Sequence, residues 1–145
     1  MKTAIFPGSF DPFTIGHADI VKRALLLFDH IYIGVGNNID KKSVFPIERR
    51  LADMERIYRN EERVSVHQFN GLTVDFAKEH NAGFIISGVR TVADFEYERN
   101  MAQANKEMSG VETILLYTNP LYAHISSTLV RDLYLHNVDI SQYLP

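Results

Sequence analysis

The N-terminal segment PGSFDPFTIGH, residues 7–17, combines a serine, a histidine and two glycines directly after an apolar run. A helix is predicted to begin close to His17. A helix start offers free backbone N–H groups and the positive end of the helix dipole, so Ser9 and His17 can face one phosphate there. The glycines would let the backbone approach that ligand. The alternative is that His17 only caps the helix and the glycines only turn the chain.

The segment HISSTLVRD, residues 124–132, places three adjacent hydroxyl side chains at the start of another predicted helix. Arg131 follows about one helical turn later. A helix cap uses one hydroxyl, so three in a row indicate a second anion-binding site, with plain capping as the alternative.

The segment ISGVRTVADFEYE, residues 86–98, places Gly88 and Arg90 directly after a predicted strand. A guanidinium in that position can donate two hydrogen bonds to phosphate oxygens. Lys41, in the loop after another strand, is a further candidate cation, although exposed lysines are usually only solvated.

Several other chemistries are not indicated. The six histidines lack the spacing of metal ligands, and no Gly-x-Ser-x-Gly hydrolase turn occurs, so we predict no protein-bound metal. The absence of cysteine excludes thiol chemistry and disulfides. A formal net charge of −3 argues against a nucleic-acid partner. With no long apolar run and no leader pattern, we expect a soluble cytoplasmic protein that does not contact membranes.

Strand-like and helix-like segments alternate along the chain. The predicted strands are residues 4–6, 31–35, 64–68, 84–86 and 113–117, and the predicted helices are 17–28, 46–59, 72–80, 92–106 and 126–136. Residues 1–145 therefore predict a single α/β domain, doubly wound, with a mainly parallel five-stranded sheet and helices on both faces. Ligands bind such sheets at the carboxyl ends of strands, which here selects the loops 7–16, 36–45, 87–91 and 118–125.

The segments GSFDPFTIGH and ISSTLVR together resemble the paired signatures of the nucleotidyltransferase superfamily with a T/H-x-G-H motif. The pattern PGSFDPFTIGHADIV, KK, GVRTVADFEYE and HISST is similar, over essentially the whole chain, to that of the phosphopantetheine adenylyltransferases. This resemblance implies a Rossmann-like nucleotidyltransferase fold. It implies transfer of the adenylyl group of ATP to 4′-phosphopantetheine, giving dephospho-coenzyme A and pyrophosphate in coenzyme A biosynthesis. It also implies Mg²⁺ carried with ATP, a homohexamer, and coenzyme A as a possible feedback ligand.

The resemblance also implies roles for individual residues. His17, Lys41 and Arg90 would be catalytic, with His17 stabilising charge on the ATP phosphates in the transition state. The implied ATP-binding positions are Ser9, Phe10, His17, Gly88, Val89, Arg90, Glu98, Tyr122, Ala123, His124, Ile125, Ser126, Ser127 and Thr128. The implied acceptor-binding positions are Ser9, Lys41, Thr73 and Ser87.

One position departs from the family pattern. Relatives often have an arginine that binds the acceptor phosphate where this chain has Ser87. The departure concerns the affinity for the acceptor more than the class of reaction. Two alternatives stay open from sequence: another adenylyl- or cytidylyltransferase of the superfamily, such as one acting on nicotinamide mononucleotide, and a non-catalytic nucleotide-binding sensor.

Overall fold

The computed structural model describes residues 1–38 and 40–145. Ile39, which belongs to the predicted loop 36–45, lies outside the described residues. The strands are β1 (Thr3–Gly8), β2 (His30–Gly36), β3 (Val64–Phe69), β4 (Phe84–Val89) and β5 (Glu112–Tyr117). The α-helices are α1 (Ile15–Ala24), α2 (Ile47–Ile57), α3 (Thr73–Glu79), α4 (Val92–Ser109) and α5 (Ser127–Leu135). Short 3₁₀ turns cover Pro120–Tyr122 and Ser141–Tyr143.

The five strands form one sheet in the order β3-β2-β1-β4-β5, and every pair in it is parallel. Parallel sheets need apolar side chains on both faces because helices cover both. The central strand shows this clearly, since neighbouring Ala4 and Ile5 point to opposite faces and both are fully buried. The predicted α/β architecture is confirmed.

Two apolar clusters lie on the two faces of the sheet. One contains Ile20 and Val21 of α1 and Met54 of α2, together with residues of β1, β2 and β4. The other contains Phe76 and Ala77 of α3. The chain therefore changes face between β1 and β4, which are neighbours in the sheet but distant in sequence. A crevice at the carboxyl ends of these two strands is the expected ligand site.

The end of β4 differs from the prediction. The sequence predicted a strand over residues 84–86, but β4 continues to Val89. The reason is that Ser87, Gly88 and Val89 pair with residues 115–117 of β5, so the backbone hydrogen-bonding ladder does not stop at the last apolar residue of the run. Gly88 therefore lies within the strand, and only Arg90 directly follows it.

The first helix also begins earlier than predicted. It starts at Ile15 because the side chain of Thr14 caps it, and it ends at Ala24 instead of Phe28. In the connection between β3 and α3, Gly71 has a φ of 87°, a conformation that favours glycine. None of the described helices is long and apolar enough to cross a membrane.

Candidate active site

A cavity of about 340 Å³ opens where β1 and β4 end. The chain around it includes the turn after β1 with the first part of α1, the end of β4 with the start of α4, the segment around Lys41, Thr118 after β5, and the start of α5. The predicted residues that line it are Ser9, Phe10, His17, Lys41, Ser87, Gly88, Arg90, Glu98, Ile125, Ser126, Ser127 and Thr128.

The turn after β1 is fixed by its aromatic residues. Phe10 is buried, has a φ of 47° and packs edge-on against Phe6 and Phe13, at centroid distances of 5.1 and 5.4 Å. A positive φ is strained for a non-glycine residue, so this packing must stabilise it. A Cβ added to Gly8 would lie 2.9 Å from the Phe10 ring. Gly8 thus makes room for Phe10, whereas the sequence suggested that it made room for ligand.

His17 is both a helix cap and a residue of the cavity. Its Nδ1 accepts a hydrogen bond from the backbone N–H of Thr14 over 2.9 Å, and the Thr14 side chain accepts one from the His17 N–H. This reciprocal pair is a capping box. Since Nδ1 is an acceptor, the neutral ring carries its proton on Nε2. The two interpretations of His17 are therefore compatible.

The environment of His17 keeps the ring neutral. It stacks on Phe13 at 5.4 Å and meets Phe10 edge-on at 5.0 Å. Burial, and secondarily the positive charge of Arg90, lowers the pKa of His17 from 6.5 to about 4. At neutral pH this residue can donate one hydrogen bond from Nε2 to a phosphate oxygen without taking up a proton.

The hydroxyls at the start of α5 have separate roles. Ser126 caps the helix by accepting from the N–H of Leu129 over 3.0 Å. Ser127 donates to the carbonyl of Pro12 over 2.9 Å, which fixes α5 against the turn after β1. Thr128 accepts from Arg131 over 3.0 Å. The first backbone N–H groups of α5 have no partners within the helix, so they can serve an anion in the cavity.

Arg131 lines the cavity but was not among the predicted binding positions. Its guanidinium donates to the carbonyl of Asp11 over 2.9 Å as well as to Thr128. The sequence placed Arg131 about one turn into the last helix, so its spacing from the hydroxyl cluster was the available signal. Together with Lys41 and Arg90 it gives the cavity three cationic side chains.

At the opposite wall, the Ser87 hydroxyl donates to the Glu98 carboxylate over 2.9 Å. Arg90 lies beside the start of α4, where its backbone N–H donates to Asp94 over 3.1 Å and its Nε lies 3.7 Å from the same carboxylate. Asp94 also occupies the first turn of α4, where its charge complements the helix dipole. Asp94 therefore holds Arg90 near the cavity and does not bury it.

Lys41 is exposed and lines both the main cavity and a smaller one of about 80 Å³ beside it. Five predicted positions do not line the main cavity: Thr73, Val89, Tyr122, Ala123 and His124. Among residues 1–38 and 40–145, no three histidine or carboxylate side chains form a group suited to holding a metal ion.

Comparison with known proteins agrees with this geometry. Residues 5–133 match the cytidylyltransferase-like family, so the chain is a nucleotidyltransferase by fold and site. Two relatives named phosphopantetheine adenylyltransferase are closely similar: that of Bacteroides fragilis is 48% identical over 100% of this chain and 97% of its own length. That of Bacteroides thetaiotaomicron is 50% identical over 100% of this chain and 96% of its own length. The chain belongs to the phosphopantetheine adenylyltransferase family.

Solved structures show the same fold at low identity. A bifunctional NMN adenylyltransferase/ADP ribose pyrophosphatase from Francisella tularensis, in complex with AMP and a manganese ion, superposes with a TM-score of 0.71 at 16% identity. The alignment covers 99% of this chain and 44% of that longer chain. A lipopolysaccharide core biosynthesis protein from Thermoplasma volcanium has a TM-score of 0.57 at 19% identity, over 82% of this chain and 97% of its own.

Proposed function

We propose that this chain, as one nucleotidyltransferase domain over residues 1–145, transfers the adenylyl group of ATP to 4′-phosphopantetheine. The family membership supports the choice of substrates. The observation that carries the proposed mechanism is the His17 ring: Thr14 occupies Nδ1, which leaves Nε2–H as a neutral donor in a cavity with three cations.

In the reaction, a phosphate oxygen of phosphopantetheine attacks the α-phosphorus of ATP. The new P–O bond forms as the bond between the α-phosphorus and the bridging oxygen to the β-phosphate breaks, and pyrophosphate leaves with that electron pair. No covalent intermediate with the protein is required, so positioning and charge stabilisation supply the catalysis.

The residues divide this work by their positions. His17, Arg90 and the start of α5 would bind the phosphates of ATP. Lys41, with Ser9 beside it, would bind the acceptor phosphate. Thr73 would contact the pantetheine arm, and Val89 and residues 122–124 would contact the nucleotide. These contacts would lie beyond the cavity wall or use backbone groups.

Mg²⁺ would enter with ATP. The one lining carboxylate of the cavity, that of Glu98, already accepts from Ser87, so the described residues offer no carboxylate pair to a resident ion. Magnesium binds readily through substrate phosphates while it keeps several waters. When bound, it would neutralise charge on the phosphates, and the protein would orient those phosphates.

The assembly is proposed to be a homohexamer. Exposed apolar side chains occur along α4, at the end of β5 and in the 3₁₀ turn after it, and they support a contact between copies of the chain. They are Val92, Phe95, Tyr97, Met101, Met108, Tyr117 and Leu121. Light scattering of the wild type and of Tyr97→Lys would test this, with a smaller assembly expected for the variant. A cytoplasmic location and feedback by coenzyme A are likewise proposed from the family resemblance.

One assay tests the function. Purified protein with ATP, Mg²⁺ and phosphopantetheine should form dephospho-coenzyme A and pyrophosphate in equal amounts. Nicotinamide mononucleotide offered in place of phosphopantetheine should release no pyrophosphate. Turnover of the mononucleotide alone would reassign the substrate, and tight ATP binding without any turnover would favour the sensor.

A further inference from the structure

Arg50 of α2 is a buried cation outside the predicted site. Only 5% of its surface is exposed, yet none of the ion pairs among the described residues includes it. Burying a charge is costly unless hydrogen bonds compensate it. The position of those hydrogen bonds therefore shows what this arginine stabilises.

The partners of Arg50 are backbone carbonyls and one hydroxyl from the loops at the cavity. Nη1 donates to the carbonyls of Ser9 over 2.6 Å and of Gly36 over 3.3 Å. Nε donates to the carbonyl of Phe45 over 2.9 Å. Nη2 lies 3.5 Å from the Ser43 hydroxyl. One guanidinium thus contacts the turn after β1 and the chain on both sides of Lys41.

A second buried charge fixes the same piece of chain. The carboxylate of Asp11, which is 4% exposed, accepts from the backbone N–H of Val44 over 2.9 Å and of Phe45 over 2.8 Å. Asp11 belongs to the turn that carries Ser9. Arg50 and Asp11 therefore join the Lys41 segment to the turn after β1 from two directions.

We propose that Arg50 is a positioning residue for the transfer reaction, which fixes Lys41 relative to Ser9 and His17. This inference rests on the proposed function, in which Lys41 binds the acceptor phosphate. In-line attack requires the two phosphates to be placed accurately, and a misplacement of about 1 Å can cost on the order of 100-fold in rate. Arg50 contacts neither phosphate in this assignment and acts through Lys41.

The planar fork of arginine is what the geometry needs. Two nitrogens of the guanidinium donate to three carbonyls: Nη1 to those of Ser9 and Gly36, and Nε to that of Phe45. A lysine keeps the charge but places all its donors on one nitrogen, so it cannot reach these carbonyls together. Arg50→Lys thus keeps the positive charge at residue 50 and removes only the hydrogen bonds that position the Lys41 segment.

A double-mutant cycle with Lys41→Ala tests the proposal. Arg50→Lys should lower kcat/KM for phosphopantetheine by about 10-fold to 100-fold, with KM for ATP changed about 2-fold or less because Arg50 contacts no proposed ATP ligand except the Ser9 backbone. In the Lys41→Ala background, the same substitution should cost about 3-fold or less, since residues that act as a unit are not additive.

Arg56→Lys is the matched control. Arg56 lies on the same helix, its side chain is 63% exposed, and its ion pair is with Asp53 at 3.6 Å. It should leave kcat/KM unchanged in both backgrounds. Equal losses from Arg50→Lys in both backgrounds would overturn the proposal, because they would show that Arg50 acts independently of Lys41.

Two further outcomes are distinguishable. If Arg50→Lys does not fold, as judged by thermal melting, Asp11→Asn replaces it in the same cycle, since it loosens the same segment from the other side, and additivity there would overturn the proposal equally. If the wild-type protein forms no dephospho-coenzyme A, the proposed function fails and this inference with it. If the wild type is active but the double-mutant cycle is additive, the proposed function stands and only the inference about Arg50 fails.

Discussion

Ser87 donates its hydroxyl hydrogen to Glu98 over 2.9 Å, and this bond joins β4 to α4 at the edge of the cavity. The family resemblance implies an arginine at this position in many relatives, so under the proposed function the serine would leave the acceptor phosphate with one cation fewer. It also leaves Glu98 with a neutral partner in a cavity that must bind anions. The first two predictions follow from this arrangement.

Lys41→Ala should weaken the use of phosphopantetheine by about 1.5–3 kcal/mol, the range for a hydrogen bond to a charged group. The effect should be large because no arginine at position 87 shares the acceptor phosphate. Steady-state kinetics with phosphopantetheine varied at saturating ATP measures it. Lys42→Ala is the neighbouring control, and an equal loss there would mean that Lys41 has no special role.

Ser87→Arg should tighten acceptor binding, or at least partly rescue Lys41→Ala, while ATP affinity stays the same. The Glu98 carboxylate would pair with part of the new guanidinium, so Ser87→Arg combined with Glu98→Gln should rescue more strongly. Acceptor titrations of the single and combined variants measure both effects. Strictly additive effects without rescue would place position 87 away from the acceptor phosphate.

His17→Ala should lower kcat and kcat/KM together by on the order of 100-fold or more, with KM nearly unchanged. The reason is that the Nε2 donor would act mainly on charge that develops in the transition state. The substitution also removes the His17 half of the capping box, which should lower stability as well. Thermal melting of the variant separates that loss from the loss of rate. An alanine variant with full rate would leave His17 as a helix cap only.

Acid should destabilise the protein through His17. Its pKa is about 4 in the folded chain and 6.5 when unfolded, so the unfolded state binds more protons between those values. The stability contributed by neutral His17 is complete above pH 6.5 and is lost as the pH falls towards 4. His17→Gln keeps a residue that can complete the capping box with Thr14 but does not titrate. Urea unfolding at pH 7, 5 and 4 should show a smaller decline for the glutamine variant, and parallel declines would contradict the assignment.

Arg90→Lys should impair the use of ATP although the charge is kept, because the forked geometry towards phosphate is lost. We expect a higher KM for ATP and an unchanged KM for phosphopantetheine. Arg99→Lys is a suitable control, since Arg99 is an exposed residue of α4 that does not line the cavity. A variant with intact ATP kinetics and weaker phosphopantetheine use would show that Arg90 serves the acceptor instead.

Much of the fold was predictable because buried parallel strands are short, nearly continuous apolar runs, as in residues 31–35. The end of β4 was not predictable in this way, since Ser87 and Gly88 are strand residues only through their pairing with β5. That pairing involves residues far apart in sequence, and local composition does not report it.

The site shows the same division. His17 and the hydroxyls of α5 were found because helix starts have local sequence signals. The hydrogen bonds of Arg50 were not predicted from the sequence, because an arginine near the start of an amphipathic helix usually lies in solvent. Its burial depends on carbonyls that three separate segments bring together, and only the folded chain shows them.

The turn after β1 has a consequence for how the protein becomes active. It receives hydrogen bonds from Ser127 to Pro12 and from Arg131 to Asp11, across 115 and 120 residues. Contacts of such long range close large loops, which is slow and is achieved only when both ends of the chain are in place. During synthesis, a chain that lacks its last thirty or so residues can build most of the sheet but cannot complete the proposed phosphate site. ATP binding by truncated chains would therefore begin only when α5 is present, and enzymatic activity reports whether folding is complete.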